Sequence, residues 1–375
     1  MRIVVDLLGF TGSRGGTETY ARELLTRLPT LLPEVEFAAI TGRAGTAIVS
    51  GFLVGPVHTL EDVGPSPSSW ARAAVTTTDR MARKLGADLL WAPQNFGPIR
   101  QGVPRVVTVH DAIYNDVPGG SVFERAQRAA TSWLMTRSAR TADLVLTVSH
   151  TAASSIQTRL GVPERRIRVV HNGSAPPHPA PSPWSHLSEL GIEPGRPILL
   201  SAGNRLPHKN FVGLLAALAE LPAHERPLTV IAGGGESDPL ASMVVERGLV
   251  GDVVLPGWVN AEQLEALFGV ADLYVCPSLA EGFGLPVLDA LRRGVRVVAN
   301  DIPVLREVGA DYVAYADASS PPGLAAAIAD ALRSPIGQAD RKAAMSWAET
   351  FTWERSAERT AEVLRDALEI ARRPS

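Results

Sequence analysis

Cysteine is nearly missing from this 375-residue chain: Cys276 stands alone, so no disulfide can close within it. Its neighbours in DLYVCPS are strand-like, and a buried, inert thiol is the expected state. Lysine is also scarce, with only Lys84, Lys209 and Lys342, so each lysine stands out against an arginine background. No run of eighteen apolar residues occurs, which excludes a spanning helix. The opening MRIVVDLLGF has too short an apolar run for a leader, lacks a small-residue cleavage site and reads as a first strand. A formal net charge of −3 argues against nucleic acid as a partner. No H-x-x-x-H, C-x-x-C or D-x-D spacing is present, so no metal site is expected. Together these absences fit the cytoplasm.

What is present is globular: 45% hydrophobic and 20% charged residues, enough chain for two domains. Charge is uneven. Residues 1–187 carry 19 Lys+Arg against 14 Asp+Glu, whereas residues 188–375 carry 17 against 25. Short apolar runs alternate with helical patterns in both halves. RIVVDLL, FAAIT, DLLWAP, RVVTVHD, DLVLTVS and IRVVHN come first; PILLSAG, LTVIAGG, VVLPG, DLYVCPS and VRVVAN follow. That alternation predicts an α/β protein with two doubly wound parallel sheets. The Pro- and Ser-rich SAPPHPAPSPWSHL lacks any period and predicts an extended connector. The expected organisation is a first domain over 1–173, a linker over 174–195, a second domain over 196–350 and a closing amphipathic helix over 351–373.

Four segments carry candidate chemistry. In EGFGLPVLDAL, Gly282 and Gly284 permit unusual backbone, and Pro286 suits a helix start. A helix N-terminus there suits an anion such as a diphosphate. Glu281 and Asp289 are acceptors for sugar and ribose hydroxyls. The plainer reading is helix punctuation. In SAGNRLPHKN, which contains Gly203, Arg205 and Lys209 follow a strand and could clamp a diphosphate; a solvated turn is the alternative. In GFTGSRGGTETYARELL, Gly15 and Gly16 precede Thr17, a candidate N-cap after the first strand. The spacing is not that of a dinucleotide fingerprint. His110 ends the strand VVTVHD, where clefts form, although a lone histidine is more often structural. IAGGGESDPL reads as a loop.

In this order and over nearly the whole chain, these segments resemble the family 4 glycosyltransferases, which have the GT-B fold, are retaining and use nucleotide sugars. The resemblance implies two Rossmann-like domains facing across a cleft, the first on the acceptor side and the second binding the nucleotide sugar, with the closing helix packing back on the first. It implies that Glu281 contacts donor-sugar hydroxyls, and that Phe283, Gly284 and Leu285 offer backbone N–H groups. Arg205 and Lys209 would neutralise the leaving diphosphate, Gly15 and Gly16 would line the cleft, and His110 would approach the transferred sugar. Asp289 stands where the family has a second glutamate, which puts its reach to a ribose in question.

The implied reaction moves a hexosyl group from a nucleoside-diphosphate sugar to a hydroxyl acceptor, without metal or other cofactor. The acceptor could be a glycan, a lipid-linked saccharide or a small glycoside. The motifs look most like bacterial mannosyl and deoxyhexosyl transferases, which tilts the donor toward a GDP- or dTDP-sugar. A nucleotide-sugar epimerase, a pseudo-glycosyl transferase and a non-catalytic nucleotide-sugar binder remain alternatives. The stretch FERAQRAATSWLMTRSAR, with Arg125, Arg128, Arg137 and Arg140 near Trp133, Leu134 and Met135, leaves open a peripheral membrane contact.

Overall fold

A computed structural model of the chain describes residues 1–12, 15–64, 66–100, 102–113, 122–178, 180, 182–235, 237–334 and 336–372. They form two compact units: Met1–Gly173 with Thr352–Ser375, and Ser174–Phe351.

The first unit is built on β1 (Arg2–Leu7), β2 (Glu36–Gly42), β3 (Val57–Leu60), β4 (Leu89–Ala92), β5 (Arg105–Thr108), β6 (Leu144–Thr147) and β7 (Ile167–Val169). Its sheet has the order β3-β2-β1-β4-β5-β6-β7, and every pairing is parallel. The second unit holds β8 (Ile198–Ala202), β9 (Leu228–Ala232), β10 (Val253–Val254), β11 (Leu273–Cys276), β12 (Arg296–Asn300) and β13 (Ala314–Ala316), in the order β10-β9-β8-β11-β12-β13. This sheet too is wholly parallel. Helices cover both faces of such sheets, so central strands are apolar along their length. Accordingly Ile3, Val4, Val5 and Leu7 of β1 are fully buried, as are Leu199 and Leu200 of β8.

Strand order reverses once in each sheet. The reversal falls between β1 and β4 in the first, and between β8 and β11 in the second. At such a point the loops leaving two neighbouring strands diverge to opposite faces and open a crevice at their carboxyl ends, where ligands of α/β sheets bind. The glycine-rich turn after β1, the GNRLPHKN loop after β8 and the EGFGLP loop after β11 all emerge at these points.

The closing helix, Trp353–Arg372, belongs to the first unit. Trp353, Ala357, Thr360, Leu364 and Leu368 are buried at helical spacing, and the helix packs on the helix Gly16–Leu25 and on β4 and β5. Gly173 permits the chain to reach it: a Cβ there would sit 2.1 Å from the backbone nitrogen of Trp353. The stretch expected as an extended connector differs in its second half. Pro183–Ser188 is a helix packed on the helix Ala261–Val270, with Leu187 and Ile192 buried. Those two apolar side chains order the segment despite its prolines.

In the helix Val122–Thr141, Leu134 and Met135 are buried in the first unit, leaving Trp133 58% exposed. Two of the three apolar groups expected at a membrane surface are thus core. No described helix is long and apolar enough to cross a membrane.

Candidate functional site

Parallel pairing of β8 with β11 brings two loops distant in sequence to one sheet edge. They are stitched together directly. The Leu279 N–H donates to the His208 carbonyl at 2.7 Å, and the Asn210 amide donates to the carbonyls of Pro277 and Ala318. Asn210 does this from left-handed backbone, φ 53°, at the entry to the helix Phe211–Glu220.

At this junction Lys209 Nζ meets Glu281 Oε1 at 2.6 Å, with the two side chains only 15% and 11% exposed. Beside it, Gly284 caps the helix Leu285–Arg292 from left-handed backbone, φ 107°. The left-handed backbone favours glycine here, and a Cβ at Gly284 would also press on Leu305 Cδ2 at 2.8 Å, which would have to shift. Phe283 is buried, its ring 6.1 Å from that of Phe351. Gly282 precedes it in a bend. A cation, a carboxylate and a helix N-terminus therefore share one corner. Burial, reinforced by Lys209, holds the neighbouring His208 below the usual histidine range.

Arg205 is employed differently from Lys209. Nε and Nη2 grip the Asp238 carboxylate, the latter at 2.7 Å, while Nη1 and Nη2 donate to the carbonyls of Gly203, Ala232 and Ile231. All five guanidinium hydrogens are thus committed. The guanidinium also lies 4.9 Å from the Phe211 ring centroid. The sequence groups Arg205 with Lys209 as two arms of one clamp, whereas the structure makes Arg205 a strut tying the loops after β8 and β9.

Asp289, in the body of the helix, accepts from Ser174 Oγ and lies 3.7 Å from Arg293 Nη1. Burial raises its carboxyl against the pull of Arg293 and Ser174. Cys276 is buried as expected, and burial pushes its thiol up to about 11.

In the first unit the helix after β1 begins at Gly16, with Gly15 as its N-cap in extended backbone. Thr17, expected to cap it, lies inside the first turn. Gly15 makes no side-chain cap bond; the Thr19 N–H closes onto its carbonyl at 3.0 Å. A Cβ at Gly15 would meet nothing within 4 Å, so space alone does not demand glycine there.

His110 is 8% exposed, with Nε2 2.8 Å from the Pro93 carbonyl and its ring edge-on to Tyr20 at 4.8 Å. Burial outweighs the Pro93 hydrogen bond and pulls the imidazole down to about 4. The folded state therefore resists a proton that the unfolded chain accepts near 6.5. Stability present above that value should be lost as pH falls from about 6.5 through about 4, by up to about 3 kcal/mol. In His110→Gln this part of the acid loss should disappear from denaturant titrations at pH 7 and 4.5. An identical acid loss in the variant would mean that His110 is not held neutral.

Asp238, Asn210 and Ser174 escaped sequence reasoning, as did Asp6 in β1. A carboxylate within an otherwise apolar parallel strand was the available signal for Asp6.

Comparison with known proteins places the same segments in one family. Residues 14–174 match the model described as Glycosyltransferase Family 4, and residues 184–350 match Glycosyl transferases group 1. The chain is 31% identical over 256 residues to the O-antigen chain mannosyltransferase B of Escherichia coli, covering 66% of this chain and 67% of that one. It is 27% identical over 286 residues to the alpha-maltose-1-phosphate synthase of Mycolicibacterium smegmatis, covering 70% and 73%. Among solved structures, a sucrose-phosphate synthase from Thermosynechococcus elongatus superposes with a TM-score of 0.79 at 18% identity, covering 98% of this chain and 99% of that one. That likeness is one of fold.

Proposed function

This chain belongs to glycosyltransferase family 4, with two α/β units of the GT-B type, and we propose that it moves a hexosyl group from a nucleoside-diphosphate sugar to a hydroxyl acceptor with retention and without metal. The observation that carries this reading is the Lys209–Glu281 pair at 2.6 Å beside the Gly284-capped helix. In the proposed complex the donor enters that corner and the pair exchanges partners. Lys209 Nζ turns to the diphosphate and Glu281 accepts from hydroxyls of the sugar.

The C1–O bond to the diphosphate breaks with its electron pair leaving on the phosphate oxygen. The acceptor oxygen bonds to C1 from the same face, and its proton passes to that phosphate oxygen. Negative charge grows on the leaving group, where Lys209 and the helix N-terminus are strongest in a closed site. Asp289 faces the ribose end in this scheme. The mannosyl name of the 31%-identical relative favours a mannosyl- or deoxyhexosyl-type donor.

The reading is tested by NMR of the product anomer from a dialysed enzyme with and without EDTA. The expected result is the donor's anomeric configuration at unchanged rate. Inversion overturns retention, and loss of activity to EDTA with rescue by magnesium or manganese overturns metal independence.

A further inference from the structure

We infer that a cavity within the first unit is the acceptor subsite, and that it takes the ammonium-bearing ring of a small amino-polyol with Asp6 as its counter-ion. The inference rests on the transferase reading and deepens it. The cavity, about 150 Å³, lies where β1 and β4 part at the switch point of the first sheet, and Asp6, Gly9, Thr17, Trp70, Gln94 and Asn95 are among its lining. Its size suits one ring rather than a whole nucleotide sugar, since pockets for drug-sized ligands already run to roughly 300–1,000 Å³.

The chemistry of the lining selects the ring. Asp6 is 6% exposed, and its Oδ1 accepts only the Leu8 N–H, at 3.2 Å. Its Oδ2 accepts nothing among the described residues. Burial pushes this carboxyl up to about 7, the mark of a charge with no cation to compensate it. An ammonium at hydrogen-bond distance would supply that compensation and hold Asp6 ionised.

The rest of the wall suits a polyol. The Trp70 ring is fixed by its Nε1–H donating to the Gly64 carbonyl at 2.9 Å. It is an aromatic surface in the wall, of a kind that suits a ring and a cation. The Gln94 side-chain amide has no hydrogen bond among the described residues, and Thr17 adds a hydroxyl. Asn95, at φ 67°, gives its side-chain oxygen to the His110 N–H at 2.7 Å, which fixes that side of the cavity. Gly9 keeps the space open: a Cβ there would sit 3.0 Å from Gln94 Oε1 and 3.4 Å from the Trp70 ring.

No described lining residue is cationic, so a phosphate here would meet only a carboxylate. A wider hollow of about 450 Å³, lined by Arg2, Glu34, Glu36 and Asp88, lies at the amino ends of β1 and β2. There Arg2 already bridges Glu36 at 2.8 Å, and no loop of the site reaches it.

The test is calorimetric binding of three probes to the full chain: 2-deoxystreptamine, neutral myo-inositol and glucose 6-phosphate. Wild type should bind the diamine at least tenfold more tightly than inositol and should not bind the phosphate. Asp6→Asn should erase the preference for the amine, and Gly9→Ala should weaken diamine and inositol together by narrowing the cavity. Equal affinity for inositol and the diamine, a preference for the phosphate, or an amine preference that survives Asp6→Asn each overturns the inference. Nucleotide-sugar binding by the same variants shows that they are folded. Acceptor-dependent turnover with neutral polyols alone would overturn the amine subsite and leave the transferase reading standing. Amine binding without any nucleoside-diphosphate release would do the reverse.

Discussion

Turnover by Lys209→Ala is expected to fall on the order of a hundredfold while the donor KM changes by a few-fold at most. Lys209 Nζ is held 2.6 Å from Glu281 in a corner that is largely closed to solvent. There a cation aimed at the leaving group acts with little screening. In the proposed mechanism its attraction to the diphosphate rises as the C1–O bond breaks, so the loss is expected in kcat. Glu281→Gln should also lose turnover, because the charge next to the transferred sugar disappears while the shape remains. The double variant should lose much less than the product of the two single losses, since the groups work as one pair. Steady-state constants at saturating acceptor decide this. Near wild-type kcat in Lys209→Ala would show that the pair is structural.

Arg205→Ala is expected to cost stability. Arg205 and Asp238 are 9% and 7% exposed, and each supplies what the other needs. Removing one partner of such a buried pair costs about 3–5 kcal/mol, because the remaining charge is stranded. For a unit of this size that corresponds to a fall in Tm of roughly 10 °C. Asp238→Asn should behave similarly. Arg205→Lys should recover little, since an ammonium cannot reproduce five donors in a planar fork. Differential scanning calorimetry reads the effect. Unchanged Tm together with lost kcat in Arg205→Ala would return Arg205 to the diphosphate clamp.

The contrast between these residues shows what the sequence makes legible. Buried parallel strands announce themselves as apolar runs, so PILLSA, LYVC and RVVAN are plain. β3 and β13 are not, because VHTL and AYA are short edge strands, half exposed, with no apolar run to mark them. The site loops are legible through their glycines and charges: Gly284 is favoured by its positive φ, and Lys209 is rare enough to notice. Partner choice is not legible. Lys209 and Glu281 are 72 residues apart and meet because β8 neighbours β11, while Arg205 and Asp238 meet across β8 and β9. The GGGESDPL loop shows only its glycines in the sequence, yet its Asp238 serves Arg205. Sequence order does not record which strands lie side by side, and that adjacency decides which carboxylate each cation meets.

The central claim, transfer of a sugar from a nucleotide donor, is tested most directly by the release of nucleoside diphosphate. Purified enzyme is incubated with a panel of GDP-, dTDP- and UDP-sugars, each with and without a mixture of hydroxyl acceptors, and released diphosphate and new glycoside are quantified together. The account predicts release that requires acceptor and matches new glycoside mole for mole, and that falls on the order of a hundredfold in Lys209→Ala. Conversion of the nucleotide sugar to an isomer without release, or binding of the donor with no turnover under any acceptor, would contradict it.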